Sequence, residues 1–125
     1  MRIALAILMA LHGVAHLVGF AGAWSLAPEG VPYKTTVLAG HVDLGDVGIR
    51  AVGLLWLATA AAFLFAGLAA VRGTPWWPQL ALGVAAVSLL LSATEWPEAR
   101  IGVAINALII TALIAARWLG RLWAA

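Results

Sequence analysis

Four long apolar runs, Ile3 to Trp24, Val47 to Val71, Trp76 to Thr94 and Ala99 to Ala116, are separated by three polar joints. Each run meets or approaches the roughly 18 to 20 residues that a helix needs to cross hydrocarbon. All five acidic residues fall in the first and third joints: Glu29, Asp43 and Asp46, then Glu95 and Glu98. The pattern predicts an all-α integral membrane protein, an antiparallel four-helix bundle. Its single domain covers residues 1–125, with spans at 3–24, 47–71, 76–94 and 99–116 and a long outer loop at 25–46. Composition agrees: 65% of the residues are hydrophobic and only 10% are charged, too few to coat a water-soluble domain. Four spans and their joints use up the 125 residues and leave no second core.

Several function classes drop out. A net charge of +2 with no basic run gives no nucleic-acid footprint. The absence of cysteine removes disulfides, thiolate-held haem and iron–sulfur clusters, and thiol redox chemistry. No phosphate loop, nucleotide motif or paired nucleophile and base is visible, and no motif names a cofactor. Met1-Arg2 followed by an apolar run ending in Ala21-Gly22-Ala23 looks superficially like a secretion signal. The run is longer than a signal core and contains His12 and His16, so it reads as a retained first helix.

Basic residues set the expected orientation. Arg2, Arg72, Arg117 and Arg121 share one side with no acid, against Lys34, Arg50 and Arg100 on the other. The side with the four arginines is expected to be cytoplasmic, with both termini in. The outer joint 25–46 contains Pro28, Gly30, Pro32, Gly40 and Gly45, and its length marks it as a lid-like segment. Arg72-Gly73-Thr74-Pro75 and Glu95-Trp96-Pro97-Glu98 read as tight turns. Trp24, Trp76, Trp77, Trp96, Trp118 and Trp123 stand near span ends, as interfacial anchors do. Ala15, Gly19 and Ala23 on the first helix and Ala58, Ala62, Ala66 and Ala70 on the second form small-residue stripes that suit close helix packing, within the chain or against a second one.

Few residues can carry chemistry. His12 and His16 share one face of the first helix, roughly 18 and 12 Å below Trp24 by helical rise. Imidazoles at that depth face protein or a wet cavity. One reading makes them a proton-relay or ligand-polarising pair. The other has each ring, neutral, bonding to a backbone carbonyl or to Ser88, Ser92, Thr59 or Asn106 and holding helices together. Metal binding is a third reading. Two histidines at this spacing then need a further ligand from His41, Asp43, Asp46 or Glu95 in the outer joints, and no HExxH is present. Arg50, one turn after Asp46, either pairs with it or turns inward with His16, Asn106 and Glu95 to bind the polar end of an amphiphile.

The segment Leu11-His12-Gly13-Val14-Ala15-His16-Leu17-Val18-Gly19-Phe20 resembles the opening of DoxX-like membrane proteins, in which an arginine near the start precedes a His-Gly pair and a later Gly-Phe. The matching residues here are Arg2, His12, Gly13, Gly19 and Phe20, while His16 departs from the family pattern. Beyond the first helix the likeness is one of architecture. The resemblance implies a bacterial inner-membrane protein from a family linked to quinone-coupled sulfur oxidation or to membrane-anchored oxidative-stress complexes. Three functions stand open. The chain binds or transforms a quinone- or isoprenoid-like amphiphile in a pocket of His12, His16, Arg50 and Asn106; it is an accessory subunit docking a membrane partner or a second copy; or it holds a metal through His12, His16 and His41.

Overall fold

The computed structural model describes residues 1–120. Arg121 and Trp123, assigned above to the arginine-rich side and to the anchors, lie outside the described residues. The chain order is α1 (Arg2–Ala23), β1 (Thr36–Val37), β2 (Val42–Asp43), α2 (Gly45–Arg72), α3 (Trp77–Thr94) and α4 (Arg100–Trp118). All four helices are long and apolar enough to cross a membrane. Each begins and ends within two residues of an apolar run, because the helix breakers lie at the joints. Gly73 closes α2 in the left-handed conformation at φ 71°, and Thr74 returns its N–H and its hydroxyl to the Ala69 carbonyl. Pro78 occupies the first turn of α3, where a missing N–H leaves no helical bond unmade.

Residues 25–46 are more ordered than a lid-like loop. Thr36 pairs with Asp43 and Val37 with Val42 in a short antiparallel ribbon. Its turn passes through Leu38, Ala39 and Gly40, all at positive φ. The ribbon is tied down at several points. Leu38 N–H donates to the Thr94 carbonyl at 2.7 Å, the Tyr33 hydroxyl donates to Asp46 at 2.6 Å, and Val37 is buried with Ala23 and Ile49. Asp43 accepts the Gly45 N–H at 2.9 Å, which starts α2.

α1 packs along α2, α2 on α3, and α3 on α4, whereas α1 and α4 barely touch. The main core gathers Leu5 and Met9, Phe63 and Ala66, Trp77 and Ala81, Ile109 and Leu113. α1 and α2 approach closely here. A Cβ on Gly13 would stand 2.9 Å from Phe63 Cβ and 3.1 Å from the Ala60 carbonyl oxygen, so only glycine fits.

The small-residue stripes are not uniformly packed. Ala66 and Ala70 are buried, Ala62 is half-buried and Ala58 is exposed. A four-residue repeat advances about 40° beyond a full turn, so the stripe winds out of the contact. Trp77 also departs from the anchor expectation: it is buried in the core, while Trp24, Trp76, Trp96 and Trp118 are exposed.

Candidate functional site

The buried face of α1 changes character along its length. Leu5 and Met9 are apolar, and His12 and His16 continue the same face one and two turns on. Opposite them α3 presents Ser88 and Ser92, with Glu95 just past its end, and α4 presents Asn106, the only residue with a polar side chain on its buried face among the described residues. Both histidines, both serines and the asparagine are buried.

One contact fixes the protons of the whole network. His16 Nδ1 lies 2.8 Å from the His12 carbonyl oxygen, which can only accept, so Nδ1 carries the hydrogen. Even one imidazolium buried here, with no carboxylate bonded to either ring, would be far costlier than a neutral ring. Neutral His16 therefore has a bare Nε2, and the Ser88 hydroxyl 2.7 Å away donates to it. Ser88 Oγ then accepts from Asn106 Nδ2 at 2.8 Å, with a longer Asn106 contact to Ser92 Oγ at 3.5 Å. This orientation turns Asn106 Oδ1 toward His12 Nε2 at 3.1 Å, which must donate. His12 is left with an unprotonated Nδ1 that is buried and has no partner. The two neighbouring histidines are opposite tautomers.

A cavity of about 490 Å³ rises from this network toward the ribbon. His12, His16 and Ser92 form its polar base, Trp56 and Ile105 wall it, and Lys34 and Glu98 stand at its mouth. Its volume lies within the roughly 300–1,000 Å³ usual for small-molecule sites. The lining from Ala15, Val18, Gly19 and Gly22 on α1 to Ile101, Gly102 and Ile105 on α4 places it on the seam where those helices barely touch. Lys34 Nζ lies 3.2 Å from both Glu95 Oε2 and Glu98 Oε1. Burial pulls the Lys34 ammonium down, but hydrogen bonds to Glu98 and Glu95 and their charges outweigh it and hold it above its ordinary value. Glu95 Oε1 is buried without a partner.

The candidate residues thus divide. His12 and His16 line the cavity, and Asn106 stands behind His12 rather than in the wall. Glu95 lies at the mouth. Arg50 does not join them: it is exposed, with its guanidinium 5.7 Å from the centre of the Trp24 ring, and its carbonyl accepts the Trp24 indole N–H. Among the described residues the Asp46–Arg50 ion pair considered above does not form, and Asp46 accepts from Tyr33 instead. His41 is exposed in the ribbon turn, and Asp43 serves the start of α2. No three His, Asp or Glu side chains gather into a metal-sized group among the described residues. Thr59 bonds the Leu55 carbonyl of its own helix.

Trp56, Lys34 and Glu98 were not singled out by sequence reasoning. For Trp56 a signal existed, since it is the one tryptophan placed in the middle of a span. Its ring packs 4.9 Å from that of His16, and a Cβ on Gly19 would fall 2.5 Å from it. No protein-family model, no curated protein and no solved structure matches this chain.

Proposed function

We propose that the chain is a multi-pass inner-membrane protein of DoxX-like kind that binds a small amphiphile through the α1–α4 seam, its head group at His12 and His16 and its tail toward lipid. Antiparallel packing and cytoplasmic termini belong to this reading. The close approaches of Ala6 to Gly67, Gly13 to Ala60, Gly19 to Trp56 and Ala23 to Gly53 support antiparallel packing of α1 and α2. The arginines Arg2, Arg72 and Arg117 support the orientation.

The observation that carries the binding reading is an unpartnered buried nitrogen, His12 Nδ1, on a residue that lines a largely apolar cavity. A purely structural histidine pair would satisfy its own lone pairs, as His16 does. Ala15 lines the cavity and is exposed, so Ala15→Trp fills the seam without entering the core. Native mass spectrometry of gently extracted protein is expected to show a retained lipophile that Ala15→Trp loses at unchanged thermal stability. Equal retention by the variant would refute the binding reading.

A further inference from the structure

We infer that the cavity selects lipophiles whose head group donates a hydrogen bond, an alcohol or phenol O–H, over the corresponding ether or carbonyl. The inference rests on the binding reading above and adds the polarity of recognition. Two atoms on residues of the cavity wall are buried without partners, His12 Nδ1 and Glu95 Oε1. Both can only accept. His12 Nδ1 is bare because its other nitrogen is committed to Asn106 Oδ1, and that commitment follows step by step from the His12 carbonyl that holds His16. Glu95 uses its other oxygen to bind the Lys34 ammonium, so Oε1 is left as a buried acceptor with no partner.

The two acceptors differ in level. Glu95 stands just past the end of α3, three residues after Ser92 at the base, which separates mouth from base by roughly 5 Å. A hydroxyl head seated at the base satisfies the buried nitrogen, and a second donor at the mouth would satisfy Glu95. A carbonyl or ether oxygen at the base would instead set lone pair against lone pair. Sites built around a hydrogen bond reject the analogue that cannot make it, because a desolvated polar atom is left unpaired. The Ser92 hydroxyl at the base can rotate to donate or accept, so the discrimination resides in His12.

The tautomers are tested first, without any ligand. His41→Gln removes the exposed imidazole and leaves two ring signals in ¹⁵N-histidine-labelled protein reconstituted in nanodiscs. One ring is expected to be protonated at Nε2 alone and the other at Nδ1 alone; two rings of the same tautomer overturn the inference. Farnesol and 4-nonylphenol, each with its own methyl ether, then serve as probes, read by the shift of the unprotonated ring nitrogens. Each hydroxyl probe is expected to bind about tenfold or more tightly than its ether. The alcohol and phenol arms tell which head group fits better. Equal affinity of hydroxyl and ether overturns the donor rule and leaves the cavity reading standing. If no probe moves either nitrogen, both fall.

Discussion

From Arg2 to Met9 the first helix is sealed against its neighbours by apolar side chains, whereas from His12 to Ala23 the same helix borders a cavity of about 490 Å³. Small residues along the pair α1 and α2 act in opposite ways. Gly13 and Gly67 meet the backbone of the facing helix, at Ala60 and Ala6, and large side chains such as Phe63, Trp77 and Ile109 fill what remains. Ala15 and Gly22 face no such partner: a Cβ on Gly22 would find only Val31 Cγ1 at 3.9 Å, and the omitted volume stays empty. A small side chain closes a helix pair where the backbones converge and opens a cleft where they diverge.

Phe63 marks the border, fully buried in the core with its ring 5.0 Å from His12 and 5.4 Å from His16. Phe63→Ala is expected to lower stability by about 3–5 kcal/mol, because the sealed half cannot collapse around the hole. Ile105→Ala, which only enlarges existing space, should cost about 1 kcal/mol or less. Reversible unfolding in mixed detergent micelles measures both. Comparable losses would erase the distinction between a sealed and an open half.

A smaller effect separates the polar network from the cavity above it. Asn106→Leu keeps the branched shape but strips His12 Nε2–H of its acceptor, at a cost of about 1–3 kcal/mol. Ser92→Ala removes only the 3.5 Å contact and should cost much less. The same unfolding assay ranks them, and a Ser92→Ala loss as large as that of Asn106→Leu would place the anchor of the network at Ser92.

The sequence made the four helices legible because length and hydropathy are local properties, and breakers such as Gly73 and Pro97 sit where the spans end. The shared face of His12 and His16 followed from their spacing, and Asn106 was reachable because an amide in a span needs a partner. Arg50 was misplaced for a reason of geometry: its position near the N-terminal end of α2 is compatible with either direction, and Trp24 offers its ring and indole N–H at the exposed surface. The ribbon was illegible because its strands are two residues each, too short for any alternation to register. Trp56 was passed over because its role depends on Gly19 of another helix. The cavity depends on which small residues lack a facing backbone, a property of the assembled helices and not of any one run.

The smallest expected effect concerns the fastening of the ribbon over the open half. Lys34 reaches Glu95 and Glu98 from the loop, and Leu38 N–H docks on Thr94. Glu98 is held below its ordinary value of 4.5, first by its own backbone N–H and then by Lys34. A depressed carboxylate adds stability above its ordinary value and loses it as pH falls through the lowered one. Lys34, raised above its ordinary 10.5, adds stability below that value and loses it as pH rises through the raised one. The tether therefore holds across neutral pH and slackens at both extremes. Asp43, lowered by the Gly45 N–H and then by Thr35, weakens in acid in the same sense, so the two carboxylates must be told apart. Hydrogen exchange at Leu38, corrected for its intrinsic pH dependence, is expected to lose about two- to threefold in protection between pH 6 and pH 3, a modest change because Glu98 is solvent-exposed. Lys34→Met should remove the part of the Glu98 share that Lys34 supplies and leave the Asp43 share. An unaltered pH profile in Lys34→Met would transfer the fastening of the ribbon to Asp43 and the start of α2.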